Sequence, residues 1–187
     1  MKRDVAHFAQ VLRSAPVREL HATLVRRVAM LPMLASAPPD FLFTSGKAFR
    51  YNPRGVECVY FAEDEATAGA EYDFHHPGQR QPVTTYFAEV RLRHALDLGD
   101  RATLGVLGLK NSDLRTAWRG AQQPTAAQLL GGAVSRQADI SAIRFPSEAA
   151  RLRGFAGANV VIFRDCVRHP DYVRILGPTK KPLQQWP

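Results

Sequence analysis

The chain predicts an α+β domain, and three features carry that prediction. Short runs rich in β-branched and aromatic residues, such as Val56–Ala62 and Asn159–Phe163, read as strands. Helical stretches lie among them without a steady βαβ repeat, which argues against a doubly wound sheet. At 187 residues and 45% hydrophobic content, the chain can bury the core of one domain.

Val5, Phe8, Ala9 and Leu12 recur at helical spacing and predict a short amphipathic N-terminal helix. Ser14-Ala15-Pro16 reads as a stop and restart, followed by a second helix over Val17–Leu24 and an apolar run to Met33. Ala37–Asp40 is a loop, Phe41–Phe43 a short apolar run and Thr44-Ser45-Gly46 a turn. Asn52-Pro53-Arg54-Gly55 is a strong turn signal before the Val56–Ala62 strand. Asp64 is placed to cap a helix beginning EATAGAE, because its carboxylate can accept the free N–H groups of the first turn. Glu71 falls near the end of that helix.

His75–Pro82 reads as a polar loop, and Thr84–Leu92 as a strand that Ala95–Asp97 continues. Leu104–Leu109 is apolar but contains two glycines and stays open between helix and strand. Asn111-Ser112-Asp113 caps a helix through Trp118, and Pro124–Leu130 is a helix stopped by Gly131-Gly132. Ile140–Phe145 is a strand ending in Pro146-Ser147, Gly154–Gly157 a loop, and Arg174–Pro178 a last strand. Residues 1–23 form an N-terminal helical extension, 24–178 the domain, and 179–187 a loose tail.

Composition narrows function. The net charge is +8, and only five of the 25 basic residues are lysine. Arginine favours bidentate grips on phosphate and carboxylate. No GxGxxG, Walker, HExxH, GxSxG or CxxC pattern occurs, so the commonest dehydrogenase, NTPase, zinc-protease and esterase readings fall away. Cys58 and Cys166 sit in apolar runs and read as buried thiols. His75-His76 lacks a third ligand, so no metal is expected. No signal peptide or membrane span is visible, which gives a soluble, cytoplasmic expectation.

The remaining candidates are Arg50, Tyr51, Tyr60, Glu71 and Ser147. Each also has a plain structural reading: a surface ion pair, half-buried strand tyrosines, a wet helix face, a helix N-cap. Their order is more informative. FRYNPRG, then VYFAEDEATAGAE, then IRFPSEAARLRGFAGANVVIF resembles the RES domain family, over about residues 24–178. The family's arginine, strand tyrosine, helix glutamate and downstream serine fall on Arg50, Tyr60, Glu71 and Ser147, with Tyr51 at the aromatic position. Two departures stand out: Ala48-Phe49 where the family has Gly-Gly, and Asp64-Glu65 where it has Ser-Pro.

That resemblance implies an ADP-ribosyltransferase-like fold, with mixed, largely antiparallel sheets flanked by short helices. It implies a toxin that cleaves the nicotinamide–ribose bond of NAD as a glycohydrolase or phosphorylase. Transfer of ADP-ribose to a protein is the alternative. NAD would be a consumed substrate, with no cofactor. Arg50 would grip the pyrophosphate, Tyr51 and Tyr60 stack on rings, Glu71 hold the ribose, and Ser147 bond the nicotinamide amide or its ribose. The implied partner is a helix-turn-helix, Xre-type antitoxin, with nucleic acid reached only through it; homodimers are common among such toxins. From charge alone, an Arg-rich nucleic-acid-binding module is a further alternative, though the arginines are scattered.

Overall fold

The computed structural model describes residues 3–30, 42–79, 81–137, 139–177 and 179–187. Seven strands form one sheet system: β1 (Val17–Ala29), β2 (Cys58–Ala62), β3 (Val83–Asp97), β4 (Ala142–Pro146), β5 (Ala158–Phe163), β6 (Tyr172–Leu176) and β7 (Pro182–Trp186). Their order is β1-β2-β5-β4-β3-β6-β7, and β1 also pairs with β3, so the first five strands close on themselves. Only β3 with β4 is parallel. The long β3 makes closure possible: one edge pairs with β1 from Val83 to Leu96, while the other serves β6 at Phe87–Arg91 and β4 at Ala95–Asp97.

Alternation along the strands feeds two cores. Val59 and Phe61, Val160 and Ile162, with Leu20, Leu24, Val90 and Val173, pack into one core. Cys58, Ile143, Phe145, Val161 and Phe163 face the other way, onto a helical layer. β5 is therefore buried on both faces, as its continuous apolar run requires. The helices are α1 (Val5–Val11), α2 (Glu65–His75), α3 (Arg101–Leu107), α4 (Asn111–Arg115), α5 (Ala126–Val134) and α6 (Glu148–Leu152). Phe8 and Leu12 from the N-terminal segment, with Leu104, Leu107, Leu130 and Val134, build that second core.

Several sequence expectations need correction. Val17–Leu24 is strand, not helix. Leu20, Ala22 and Leu24 share a strand face, and a spacing of four between leucines satisfies either period. The N-terminal residues are therefore no separate extension, since β1 starts at Val17 and α1 packs into the core. The ambiguous Leu104–Leu109 run lies mostly in α3, which Asp100 caps and left-handed Gly108 ends. α4 stops at Arg115, short of Trp118. The C-terminal tail is β7, pinned by Trp186 against Phe43 at 5.3 Å between ring centroids. The predicted Ala37–Asp40 loop, together with Phe41, lies outside the described residues. Both cysteines are free and buried, as expected; burial pushes the Cys58 thiol up and the Cys166 thiol to about 11.

α5 runs straight through Gly131-Gly132, where a stop was expected. The reason is a close approach: a Cβ on Gly131 would sit 1.5 Å from the Tyr51 carbonyl oxygen. Glycine there keeps the chain helical while letting the Tyr51 loop lie on the helix. Gly131→Ala is expected to lower Tm by roughly 5–10 °C, as about 2–3 kcal/mol of overpacking implies. Gly105→Ala, exposed in α3 with nothing near its Cβ, is expected to raise Tm slightly, by about 1 °C or more, through better helix propensity. Calorimetry of the two variants checks the opposite signs.

Candidate active site

β1 and β2 meet at a single pair, Val25 with Ala62. Beyond that pair the strands part, and Arg26 Nη1 bridges the gap to the Tyr60 carbonyl at 3.0 Å. Burial lowers the Arg26 guanidinium to about 10. A cleft of about 880 Å3 opens here, walled by β1, β2, α2, the β4–α6 junction and the segment after α4.

Glu71 sits in this cleft on α2. Its Oε1 accepts from Ser147 Oγ at 2.7 Å and from Asn159 Nδ2 at 2.6 Å. Its Oε2 lies 3.5 Å from His75 Nε2, one helical turn on. Asp64 caps α2 through the Thr67 N–H, which fixes the helix that carries both residues. Ser147 follows β4, caps α6 through the Ala150 N–H and donates to Glu71 with the same hydroxyl. Asn159 projects from β5, paired with Phe145 and Ala62. Three separate elements thus converge on one carboxylate. Burial alone would push the Glu71 carboxyl up, but the bonds from His75, Ser147 and Asn159 outweigh it and hold it below the ordinary glutamate range. Glu71 is therefore an anion at neutral pH, in a partly dehydrated site.

Arg50 lines the cleft, and its Nη1 donates to the Leu114 carbonyl at 2.8 Å and the Thr116 carbonyl at 3.5 Å. It bonds backbone and makes no ion pair with a carboxylate among the described residues, although Glu148 lies within its electrostatic reach. Tyr60 also lines the cleft; its hydroxyl donates to Asn52 Oδ1 at 2.8 Å and accepts from the Tyr51 N–H at 3.0 Å. Asn52 in turn ties down Lys47, Pro53 and Val56 carbonyls, so the Asn-Pro turn is built around Tyr60.

Tyr51 does not have the expected place. It is 1% exposed, lies away from the cleft lining, and packs its ring on Phe145 at 4.2 Å. Its faces are taken, so it cannot stack on a ligand; it supports the Tyr60 loop instead. Ser147, 2% exposed, commits its hydroxyl to Glu71 and the α6 N-terminus, so it positions the carboxylate rather than offering a free bond to a ligand.

Sequence reasoning missed Asn159, His75 and Arg27. Asn159 looked like the opening of an apolar strand; a polar residue beginning a fully buried run was its signal. Arg27, on β1, lines the cleft with its Nε buried and unbonded among the described residues. Its guanidinium lies against α2 where Gly69 leaves room, 3.1 Å from the site of a Cβ. Arg144, by contrast, is neutralised by a bidentate pair with Glu63 at 2.6 and 2.7 Å and by Asp97 at 3.1 Å. Among the described residues, no group of three His, Cys, Asp or Glu stands ready for a metal, and no helix is long and apolar enough to cross a membrane.

The RES domain model matches residues 24–184. The chain belongs to the RES domain family. In structure it resembles a chain of the M. tuberculosis MbcT–MbcA toxin–antitoxin complex, at 16% identity and a TM-score of 0.60, over 96% of this chain and 91% of that one. That likeness shows the fold, and with it the expected mixed, largely antiparallel sheet flanked by short helices. No curated protein matches.

The Glu71 clamp makes a direct prediction. A folded-state pKa below the unfolded value of about 4.3 means charged Glu71 contributes stability at neutral pH, lost as pH falls through the folded pKa. Asn159→Ala removes one compensating bond and leaves the burial. Carboxyl chemical shifts followed by NMR are expected to show Glu71 titrating low in the native protein and at higher pH in Asn159→Ala.

Proposed function

We propose that this RES domain is the toxin of a toxin–antitoxin pair and that it cleaves NAD at the nicotinamide–ribose bond. The observation that carries this reading is the Glu71 carboxylate, kept ionised by His75, Ser147 and Asn159 inside a cleft lined in part by arginines that make no ion pair among the described residues. Cleavage of that bond passes through an oxocarbenium-like ribosyl cation, as in glycoside hydrolysis. A fixed anion beside the ribose stabilises the developing charge and can hold its hydroxyls. The leaving group departs as neutral nicotinamide, so no strong general acid is needed. Water at C1″ completes hydrolysis to ADP-ribose and a proton; inorganic phosphate would give the 1″-phosphate.

The other groups fit a dinucleotide. Arg27 and Arg50 are two of the cleft arginines that make no ion pair with a carboxylate among the described residues, and so suit the pyrophosphate. Tyr60 is locked by two hydrogen bonds and offers an edge of the ring wall. An Arg-rich nucleic-acid module is less favoured, because many surface arginines are spent on ion pairs, including Arg18, Arg91, Arg93, Arg151, Arg153 and Arg174. An antitoxin partner is proposed from the family and from the neighbour's description; at the cleft rim, Phe74 is 49% exposed and suits burial under a protein.

Chromatography of an NAD digest tests the reaction. The native protein is expected to release nicotinamide, with or without added phosphate, and Glu71→Gln to lose at least about 100-fold in rate while keeping its fold. Arg27→Ala is expected to raise KM about tenfold or more, as loss of a charge-assisted bond implies. Intact NAD after incubation with folded native protein and lysate acceptors would refute the proposal. Label transferred to a protein band would redirect it to ADP-ribosyl transfer.

A further inference from the structure

With Tyr51 buried, the cleft needs another flat face, and the segment after α4 supplies one. Trp118 lines the cleft and is half-buried. Its ring packs on Phe49 at 5.6 Å, Phe49 lies 6.0 Å from Tyr60, and Tyr60 lies 6.4 Å from Phe145. This aromatic arc runs from Trp118 back to the strand end that carries Ser147. The Arg119 guanidinium lies over the Trp118 ring at 5.2 Å, and its Nη2 is 3.4 Å from His75 Nδ1. His75 in turn contacts Glu71. Trp118 is thus linked to Glu71 through Arg119 and His75, and one of its faces already accepts a cation.

Arg50 fixes that segment. Its bonds to the Leu114 and Thr116 carbonyls pin the backbone just before Trp118, which otherwise has little regular structure to hold it. The arginine thus has a positioning role besides any contact with phosphate.

We propose that Trp118 is the platform on which the nicotinamide ring stacks, held in place by Arg50. The inference rests on the NAD reading above and names the residue that selects the leaving group. Oxidised nicotinamide is an electron-poor, positively charged ring, and indole is the best of the aromatic side chains at binding a cation on its face. The bond to be broken lies at Glu71, so the ring beside Glu71 is nicotinamide and not adenine. Exposed Arg119 swings aside when the pyridinium arrives.

The chain has two tryptophans, and Trp186 is 9% exposed against Phe43, so fluorescence separates them. The experiment is a stopped-flow titration of the full chain, read before turnover, with NAD, nicotinamide mononucleotide and ADP-ribose as probes. NAD and nicotinamide mononucleotide are expected to quench the emission, and ADP-ribose to leave it unchanged. Trp118→Phe is expected to lose the quench while binding nearly as well. Trp118→Ala should weaken nicotinamide mononucleotide binding about tenfold or more, in line with base–aromatic stacking, and leave ADP-ribose within about twofold.

Unchanged nicotinamide mononucleotide binding in Trp118→Ala, or quenching by ADP-ribose alone, overturns the platform. So does the absence of quenching by either nicotinamide nucleotide. These outcomes are separate from those for the reaction. Quenching without nicotinamide release leaves the platform standing and sinks the cleavage reading. NAD consumption with an unaltered KM in Trp118→Ala does the reverse.

Discussion

The structure is organised around one carboxylate oxygen. Glu71 Oε1 takes two short hydrogen bonds, from a serine that follows β4 and an asparagine near the start of β5. A part-buried carboxylate without such partners would take up a proton more readily. Its ionisation therefore depends on β4, β5 and α2 being held in register. The closed run of strands provides this: β2 pairs with β5, β5 with β4, and β4 with the far end of β3. The cleft exists because closure is incomplete on the other side, where β1 and β2 share one pair before they part.

The rest of the site follows from the same layout. Glycine at Gly131 lets α5 press on the Tyr51 carbonyl, which sets the loop whose N–H binds Tyr60. Asn52 completes that loop from the other side. Arg50 is then directed to the last turn of α4 and the residue after it, so a residue read as a ligand grip is also a brace. Residues that resemble a list of catalytic groups in sequence turn out to divide between those facing the cleft and those supporting them.

Much of this was legible beforehand. The strands from Val56, Thr84, Ile140 and Asn159, the Asp64 cap and the union of Arg50, Tyr60, Glu71 and Ser147 in one place all stand in the structure. The misreadings have physical causes. Leu20 and Leu24 fit helix and strand periods equally, and only pairing with β3 decides between them. Gly131-Gly132 looked like a stop because a close helix–loop approach leaves no mark in local sequence. Tyr51 looked like a stacking face because burial against Phe145 is a long-range fact. Trp118 looked like no more than the end of a predicted helix for the same reason: its place comes from Arg50, far back in the chain.

The central claim is that a clamped, anionic Glu71 drives cleavage of NAD. The most direct measurement is the pH dependence of nicotinamide release by the native protein and by Asn159→Ala. Release is predicted to be flat through neutral pH and to fall only below the ordinary glutamate range, with the acid limb moved upward in Asn159→Ala. An acid limb that does not move, or no nicotinamide release at any pH from folded protein, would contradict the account.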